Sequence, residues 1–295
     1  MNIEKQLLKH LQEKYFGKFS RPLNIQSTQT IGGGCISHAM KLDTNQGALF
    51  LKWNSSGSDD LFLREAESLN ELLKTRNEVL VFPEPILAEK IGQLPGYLLT
   101  SYLEPGNRGN DDEQLGRGLA LLHQYRSAEF GFHQNNYCGA SLQDNSPKKS
   151  WIDFYSQNRI GKLLENIRAS RTWSASDEKT AEKFLQKVPA LLSHPVQPSL
   201  IHGDLWSGNY LYTGKGPALI DPCVSYCDRE FELGIMTMFG GFSQRVYEAY
   251  NETDPLPAGW RDRNLIYQLY HVLNHYLLFG GFYKNQAIDI MKRYL

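Results

Sequence analysis

The spacing of apolar residues changes about a third of the way along the chain. In the first part, two segments with helical spacing are separated by short stretches in which apolar and polar residues alternate. Residues 2–16 and 59–75 are the predicted helices, and the apolar face of the first consists of Ile3, Leu7, Leu8 and Leu11. The alternating stretches predict strands at 23–31, 36–42, 47–53, 86–91 and 96–103.

Helical spacing dominates the rest of the chain. The helices are predicted at 111–126, 151–169, 176–192, 229–250 and 261–279. Two strand-like pieces interrupt them at 209–212 and 218–220, and the polar stretch 134–149 is predicted to be a long loop. This order predicts an α+β fold with two lobes and a cleft between them. Residues 1–103 form the β-rich lobe, residues 104–295 form the helical lobe, and a linker near 103–106 joins them.

Charge and hydropathy exclude several classes of partner. With 31 basic and 32 acidic residues the formal net charge is −1, whereas proteins that bind nucleic acids usually present a basic surface. The N-terminal segment MNIEKQLLKHLQEKYFGKF is charged throughout and lacks the apolar core of a signal peptide. No apolar run approaches the ~18 residues needed to cross a membrane. We therefore expect a cytoplasmic protein with no nucleic-acid or membrane partner.

The four cysteines are expected to be thiols, because disulfides are rare in that compartment. They are Cys35, Cys138, Cys223 and Cys227. Cys223 and Cys227 are spaced like half of a zinc site, but no second half follows, so structural zinc is not expected.

Residues 199–221 (SLIHGDLWSGNYLYTGKGPALID) carry the strongest chemical signal. His202, Asp204 and Asn209 have the spacing H-x-D-x-x-x-x-N that is typical of kinases. In that arrangement Asp204 orients the acceptor hydroxyl or accepts its proton. Asn209 and Asp221 are the predicted magnesium ligands, because Asp221 ends an apolar strand where a carboxylate is well placed to hold the ion.

Lys52 lies inside the apolar strand LFLKW, where a lysine must find an anion or reach water. Kinases use such a lysine to bind the nucleotide phosphates and pair it with a glutamate on the next helix. Glu65 is the predicted partner, and Glu67 is the second choice.

A glycine-rich turn precedes the Lys52 strand. Gly32, Gly33 and Gly34 allow backbone N–H groups to approach phosphates, and Ser37 adds a hydroxyl. Cys35 is at the tip of this turn. It is either a small turn residue or an exposed thiol that forms an intermolecular disulfide on oxidation. The chain is accordingly expected to be a monomer or a redox-dependent homodimer.

Residues in three further segments have candidate supporting roles. The backbone of Ser101, Tyr102 and Leu103 is positioned to offer a carbonyl and an N–H to adenine. Glu230 or Glu232 holds the catalytic-loop backbone, with Glu232 preferred, or else stabilises the start of its helix. His123 is expected in the core. Asn274 and His275 either pack in the core or face the acceptor pocket.

Several segments resemble fructosamine kinases, also called ketosamine 3-kinases, which are related to aminoglycoside phosphotransferases and choline kinases. The resemblance covers nearly the whole chain and rests on GGGCIS (32–37), HGDLWSGN (202–209), IDP (220–222), FGGF (239–242), YEAYNE (247–252) and LIYQLYHVLNHYLLFGG (265–281). The sequence departs from relatives at 228–232, where DREFE stands in place of HREAD.

This resemblance implies a protein-kinase-like fold with a small β-rich N-lobe and a larger helical C-lobe. It implies phosphorylation of the 3-hydroxyl of a free or protein-bound ketosamine by ATP with Mg²⁺, after which the sugar is eliminated and the amine is regenerated. The implied roles are base for Asp204, metal ligands for Asn209 and Asp221, an ion pair of Lys52 with Glu65, and an adenine hinge at 101–103. The alternatives are another small-alcohol kinase and, because every motif residue is present, less favourably a nucleotide-binding pseudokinase.

Overall fold

The computed structural model describes residues 3–32, 37–106 and 111–295. Its first part contains two helices and a five-stranded antiparallel sheet with strand order β1-β2-β3-β5-β4. The elements are α1 (Ile3–Phe19), β1 (Ile25–Thr30), β2 (His38–Thr44), β3 (Gly47–Asn54), α2 (Leu61–Lys74), β4 (Pro85–Glu89) and β5 (Gly96–Ser101). The predicted helices and strands are all present here, with ends that shift by a few residues.

The two helices cover opposite faces of the sheet. Side chains alternate along β3, so Leu51 packs with α1, whereas the next residue, Lys52, points to the face that carries α2. Leu7, Leu11 and Tyr15 are the buried residues of α1. Ile3, which the sequence placed on the apolar face, is 48% exposed and is not part of the apolar cluster that α1 forms with the sheet.

The second part of the chain is mainly helical. Its helices are α3 (Asp111–His123), α4 (Trp151–Asp153), a π-helical segment (Phe154–Gly161), α5 (Lys162–Ser170), α6 (Ala175–Leu191), α7 (Arg229–Met238), α8 (Gln244–Thr253), α9 (Trp260–Phe279) and α10 (Tyr283–Lys292). Its strands pair in short antiparallel hairpins and ladders: β6 (Asn136–Cys138), β7 (Ser141–Gln143), β8 (Ser199–Ile201), β9 (Tyr210–Thr213), β10 (Gly216–Leu219) and β11 (Ser225–Cys227). No helix within the described ranges meets the length and apolarity of a membrane span.

Two sequence predictions for this part are wrong. The single helix expected at 229–250 is two helices, because the backbone φ angles of Gly240 and Gly241 are +68° and +93°, which no α-helix contains. The long loop expected at 134–149 contains the β6–β7 hairpin instead.

Buried polar contacts rather than apolar residues hold this hairpin. Asn136 donates to the Val224 carbonyl at 2.7 Å, and the buried guanidinium of Arg159 donates to the carbonyl of Asp144 and to Oδ1 of Asn145, both at 2.7 Å. A polar sequence therefore folds into the interior here because the buried amides of Asn136 and Asn145 find partners. The first strand of the hairpin, β6, ends at Cys138, which lies next to Asp204 in the segment that follows β8.

Candidate active site

A glycine at the end of β8 sets the direction of the catalytic loop. The φ angle of Gly203 is +89°, and a Cβ atom at this position would lie 2.2 Å from the Cys223 carbonyl oxygen. Only glycine fits this conformation and this close approach. Asp204 follows directly, and a 3₁₀ turn at Ser207–Asn209 leads into β9.

Glu232 holds this loop from the first turn of α7. Its buried carboxylate accepts the backbone N–H of His202 and that of Gly203, the latter at 3.1 Å. Glu230, two residues earlier, instead binds the guanidinium of Arg263 at 2.6 and 2.8 Å. The preference for Glu232 as the loop support is confirmed by these contacts.

The Asp204 carboxylate lies in a crowded, negatively charged environment. Burial raises its pKa to about 8, and the charges of Glu232 and Asp221 act in the same direction. Asn209 opposes this shift, because its Nδ2 donates to the Asp204 carbonyl at 2.8 Å and to the carboxylate at 3.2 Å. A carboxylate with such a pKa suits a base near neutral pH.

Lys52 joins the sheet to the catalytic region. Its Nζ lies 3.2 and 3.1 Å from the two oxygens of Glu65, and 3.0 Å from Oδ1 of Asp221. Burial alone lowers the pKa of Lys52, but Asp221 and Glu65 outweigh burial, so its pKa lies above the usual value. Burial raises the pKa of Glu65 to about 7 against the attraction of Lys52. The second-choice partner, Glu67, binds Arg64 instead.

Asn209 and Asp221 have the atoms that a magnesium ion requires. The Asn209 amide nitrogen is engaged by Asp204, so the oxygen Oδ1 is the atom that remains for a cation. Asp221 has a φ angle of +57°, which is uncommon for a residue other than glycine, and its side chain is 41% exposed. Oxygen ligands from an amide and an accessible carboxylate fit Mg²⁺.

Backbone and imidazole contacts fix the spacing between the two acidic positions. The His202 ring binds the Ile220 carbonyl at 2.9 Å through Nε2, and the Ile220 N–H donates to the Asn209 carbonyl at 3.1 Å. Burial lowers the pKa of His202, which suits a neutral ring in this structural role. The histidine of the HGD motif therefore positions Asp221 relative to Asp204.

The predicted adenine hinge keeps one unused N–H group within the described residues. Ser101 N–H donates to the Glu84 carbonyl at 2.9 Å, and Tyr102 N–H donates to the Ala48 carbonyl at 3.2 Å. The N–H of Leu103 has no partner among the described residues. Of the three predicted hinge residues, Leu103 is therefore the one whose backbone N–H is available to donate to adenine.

The structure describes only part of the glycine-rich turn. Gly33, Gly34 and Cys35 lie outside the described residues, and so does the predicted redox contact of that cysteine. Gly32 and Ser37 are the described residues on either side of this gap.

Two of the segments on which the resemblance rests, DLWSGN and FGGF, contact each other. The Trp206 ring covers Gly208, where a Cβ atom would lie 2.1 Å from the ring, and Trp206 meets Phe239 edge-on with 6.5 Å between centroids. A Cβ atom on Gly241 would lie 2.5 Å from Cβ of Ser207. The segments DLWSGN and FGGF therefore form one packed unit beside Asp204.

Sequence reasoning missed two residues next to the proposed base. One ligand atom each of Cys138, Asp204 and His271 lies within 4.8 Å of the other two. Cys138 is in the stretch predicted as a loop, and no local motif marks His271, so only the tertiary fold brings them together. Asn274 contacts Cys138, whereas His275 packs on Phe239 at 5.2 Å.

The remaining sequence predictions concern the core and zinc. His123 is fully buried and binds the Tyr250 hydroxyl at 2.8 Å, which confirms the core assignment. Cys223 and Cys227 are free and buried, but they do not act as a pair: the Cys227 thiol contacts the Ser225 hydroxyl at 3.1 Å.

Comparisons with known proteins agree with this geometry. The chain is 37% identical over 283 residues to "Probable ketoamine kinase" of Synechocystis sp., covering 93% of this chain and 92% of that protein. It is 36% identical over 273 residues to "Protein-ribulosamine 3-kinase, chloroplastic" of Arabidopsis thaliana, covering 90% and 82%.

An aminoglycoside phosphotransferase, crystallised with AMP-PNP and hygromycin B, has the same fold, with a TM-score of 0.63, 13% identity, and coverage of 95% of this chain and 97% of that one. The predicted α+β, kinase-like fold is thereby confirmed. The family model described as "Fructosamine kinase" matches residues 6–295. The chain belongs to the fructosamine kinase family.

Proposed function

We propose that this protein uses ATP to phosphorylate the 3-hydroxyl of ketosamines, either on small glycated amines or on proteins. The observation that carries the proposal is the convergence of Lys52, Glu65 and Asp221 beside Asp204 and Asn209. Family membership and the relatives named as ketoamine and ribulosamine kinases support the acceptor class. The nucleotide analogue in the aminoglycoside phosphotransferase structure supports ATP as donor.

In this proposal Asp204 acts on the acceptor hydroxyl. The hydroxyl oxygen forms a bond to the γ-phosphorus, the bond from that phosphorus to the bridging oxygen breaks, and ADP leaves with the electron pair. The hydroxyl proton passes to the Asp204 carboxylate. Asn209 holds that carboxylate through the 3.2 Å contact, so its orientation is set before the acceptor arrives.

The nucleotide is held by residues from both parts of the chain. Lys52 supplies a positive charge to the phosphates, with Glu65 fixing its direction. The Ser101 carbonyl and the Leu103 N–H contact adenine, Tyr102 lies between them, and the turn that includes Gly32, Gly33, Gly34 and Ser37 covers the phosphates. Asn209 and Asp221 hold Mg²⁺, which neutralises charge on the transferred phosphoryl group.

The remaining features of the proposal concern organisation and cellular context. The boundary between the lobes falls between Leu103 and Glu104. The described cysteines are free and buried, which supports a reducing compartment such as the cytoplasm. Phosphorylation at the 3-position promotes elimination of the sugar, so the outcome is deglycation of the amine.

The oligomeric state follows from Cys35 in the same proposal: the protein is a monomer that forms a disulfide-linked homodimer on oxidation. A non-reducing gel of oxidised protein tests this. Cys35→Ser should remain monomeric, and a dimer that persists in this variant contradicts the proposal.

The direct test is an ATP-consumption assay with ribulosamine and fructosamine derivatives of lysine, and NMR of the product to locate the phosphate. We expect phosphate on the 3-oxygen, and no turnover above about 1% of wild type in Asp204→Asn, which should still bind ATP. Aminoglycosides and choline serve as acceptor controls. Preferential turnover of either control class, or ATP binding without phosphorylation of any amine-linked sugar, contradicts the proposal.

A further inference from the structure

Three potential metal ligands from separate parts of the chain meet beside the catalytic loop. Cys138 ends β6, Asp204 follows β8, and His271 is in the middle of α9; one ligand atom of each lies within 4.8 Å of the others. Beside these three lies a second buried thiol, Cys223, which interacts with the Cys138 thiol. We propose that Cys138, Cys223, His271 and Asp204 form a binding site for Zn²⁺ or another thiophilic divalent cation, and that the bound ion inhibits the enzyme.

The ligand types select the metal. Two thiols, one imidazole and one carboxylate are typical ligands of zinc, whereas magnesium prefers oxygen. In a tetrahedral zinc site, sulfur and nitrogen ligands lie about 3.6 Å apart, as Zn–S and Zn–N bonds of about 2.3 and 2.1 Å require. Side-chain movements of about 1 Å therefore bring Cys138, Asp204 and His271 to this spacing, and Cys223 is the proposed fourth ligand.

The surroundings favour a cation at this position. Asp221 and Glu232 act on Asp204 as like charges and outweigh the opposing charge of Lys52, while the Arg159 guanidinium acts on the His271 side of the cluster. Burial lowers the pKa of His271 to about 3, which keeps the imidazole neutral and available as a ligand. Metal binding requires both thiols to lose a proton, and those two protons pass to solvent.

A neighbouring polar side chain is also incompletely satisfied. The amide nitrogen of Asn274 contacts the carbonyl and the sulfur of Cys138 at 3.3 and 3.6 Å. Its Oδ1 is buried and has no hydrogen-bond partner within residues 3–32, 37–106 and 111–295. Buried polar atoms usually have partners, so an unpaired amide oxygen next to this cluster is consistent with a water or metal-bound water that completes the site.

A second cluster of metal-ligand types lacks these properties. His194, Asp228 and Glu230 also lie within 4.8 Å of one another, but Arg263 binds both oxygens of Glu230 and the Tyr267 hydroxyl donates to Asp228 at 2.5 Å. A guanidinium already supplies the positive charge there. The two clusters therefore have different chemistry despite similar spacing.

The functional consequence rests on the proposed role of Asp204 as the base. A zinc ion bound to its carboxylate occupies the lone pair that would accept the hydroxyl proton. Inhibition should therefore persist at saturating MgATP, because the site is made of residues other than the predicted magnesium ligands Asn209 and Asp221.

Metal binding is measured first without turnover. The full-length protein, reduced with a phosphine and freed of metal by dialysis, is titrated with Cd²⁺ while the ultraviolet absorbance of cadmium–thiolate bonds is followed. We expect saturation at one equivalent, and loss of at least half of the absorbance in Cys138→Ala. Cys227→Ala is the matched control, because Cys227 is a buried thiol that contacts Ser225 rather than the cluster. No thiolate absorbance in the wild type, or equal signals from both variants, overturns the proposal.

Inhibition is measured next with Zn²⁺ at saturating MgATP. Cys138→Ala should keep basal turnover within about threefold and raise the inhibition constant at least tenfold, whereas Cys227→Ala should change neither. If a thermal melt shows that Cys138→Ala is unfolded, Cys223→Ala replaces it in both measurements. Equal zinc sensitivity of the wild type and the cluster variant overturns the inhibitory role. Cadmium binding without ketosamine phosphorylation would instead contradict the proposed function and leave the metal site standing.

Discussion

Replacing Glu232 by glutamine tests whether this residue positions the catalytic loop or only stabilises α7. The carboxylate accepts two buried N–H groups, from His202 and Gly203, the two residues that immediately precede Asp204. An amide has only one acceptor oxygen, so its NH₂ group must face one of these donors.

The expected magnitude follows from these contacts. A hydrogen bond to a charged acceptor contributes about 1.5–3 kcal/mol, and the relief of a buried charge offsets part of its loss. We therefore expect Glu232→Gln to lower the free energy of unfolding by about 1–3 kcal/mol. Displacement of Asp204 by up to about 1 Å should lower kcat about 10²-fold. Because Glu232 raises the pKa of Asp204, the rising limb of the pH–rate profile should also move to lower pH.

Glu230→Gln is the matched control, since Glu230 is equally buried on the same helix but binds Arg263. It should lose comparable stability while kcat stays within about threefold. Steady-state kinetics at several pH values, below the melting temperature of each variant, provide the comparison. If both variants have the same kcat and the same pH profile as the wild type, Glu232 does not position the loop.

Three further predictions concern residues around Asp204. In the wild type, kcat/KM should rise with pH, with its midpoint near pH 8 and a plateau above about pH 9, because ionisation of Asp204 generates the base; a flat profile from pH 6 to 9 would exclude this role. Asp204→Asn should raise the melting temperature above wild type at pH 8 but not near pH 4. The pKa of Asp204 is higher in the folded protein than in the unfolded chain, so the wild type loses at least about 2 kcal/mol of stability as pH rises from about 4 to 8. The amide of the variant does not titrate and loses none. Equal melting temperatures of the two proteins at pH 8 would contradict the raised pKa. Glu65→Gln should raise the KM for ATP about tenfold or more, because Lys52 loses its charged partner. Glu67→Gln, which loses only an Arg64 contact, should leave this KM unchanged. A larger effect of Glu67→Gln in ATP titrations would show that Glu67, not Glu65, is the partner of Lys52.

The parts of the site that a single segment encodes were predictable from sequence. Because side chains alternate along β3, Lys52 and Leu51 lie on different faces of the sheet. Glu65 lies on the side of α2 that faces Lys52. The spacing from His202 to Asn209 likewise includes a local turn, which the Asn209 N–H closes by donating to the Trp206 carbonyl at 3.0 Å.

Other features depend on tertiary contacts that leave no local pattern. The β8–β11 pairing joins Ser225 to Ile201 through three-residue strands, which are too short to show alternation. The β6–β7 hairpin depends on Arg159, so its polar sequence resembles a surface loop. The break between α7 and α8 had a visible signal in Gly240 and Gly241, but helical spacing on both sides concealed it.

The contact between Lys52 and Asp221 has a consequence for how a nucleotide enters. The 3.0 Å ion pair connects the sheet to the catalytic region, so the two principal charges already face the same point in the free protein. An incoming triphosphate with its cation exchanges partners with an existing pair: the phosphates take the ammonium and the cation takes the carboxylate. Folding therefore already orders Lys52 and Asp221, so nucleotide binding loses less conformational entropy at these two side chains. The ion pair keeps them in position while the site is empty.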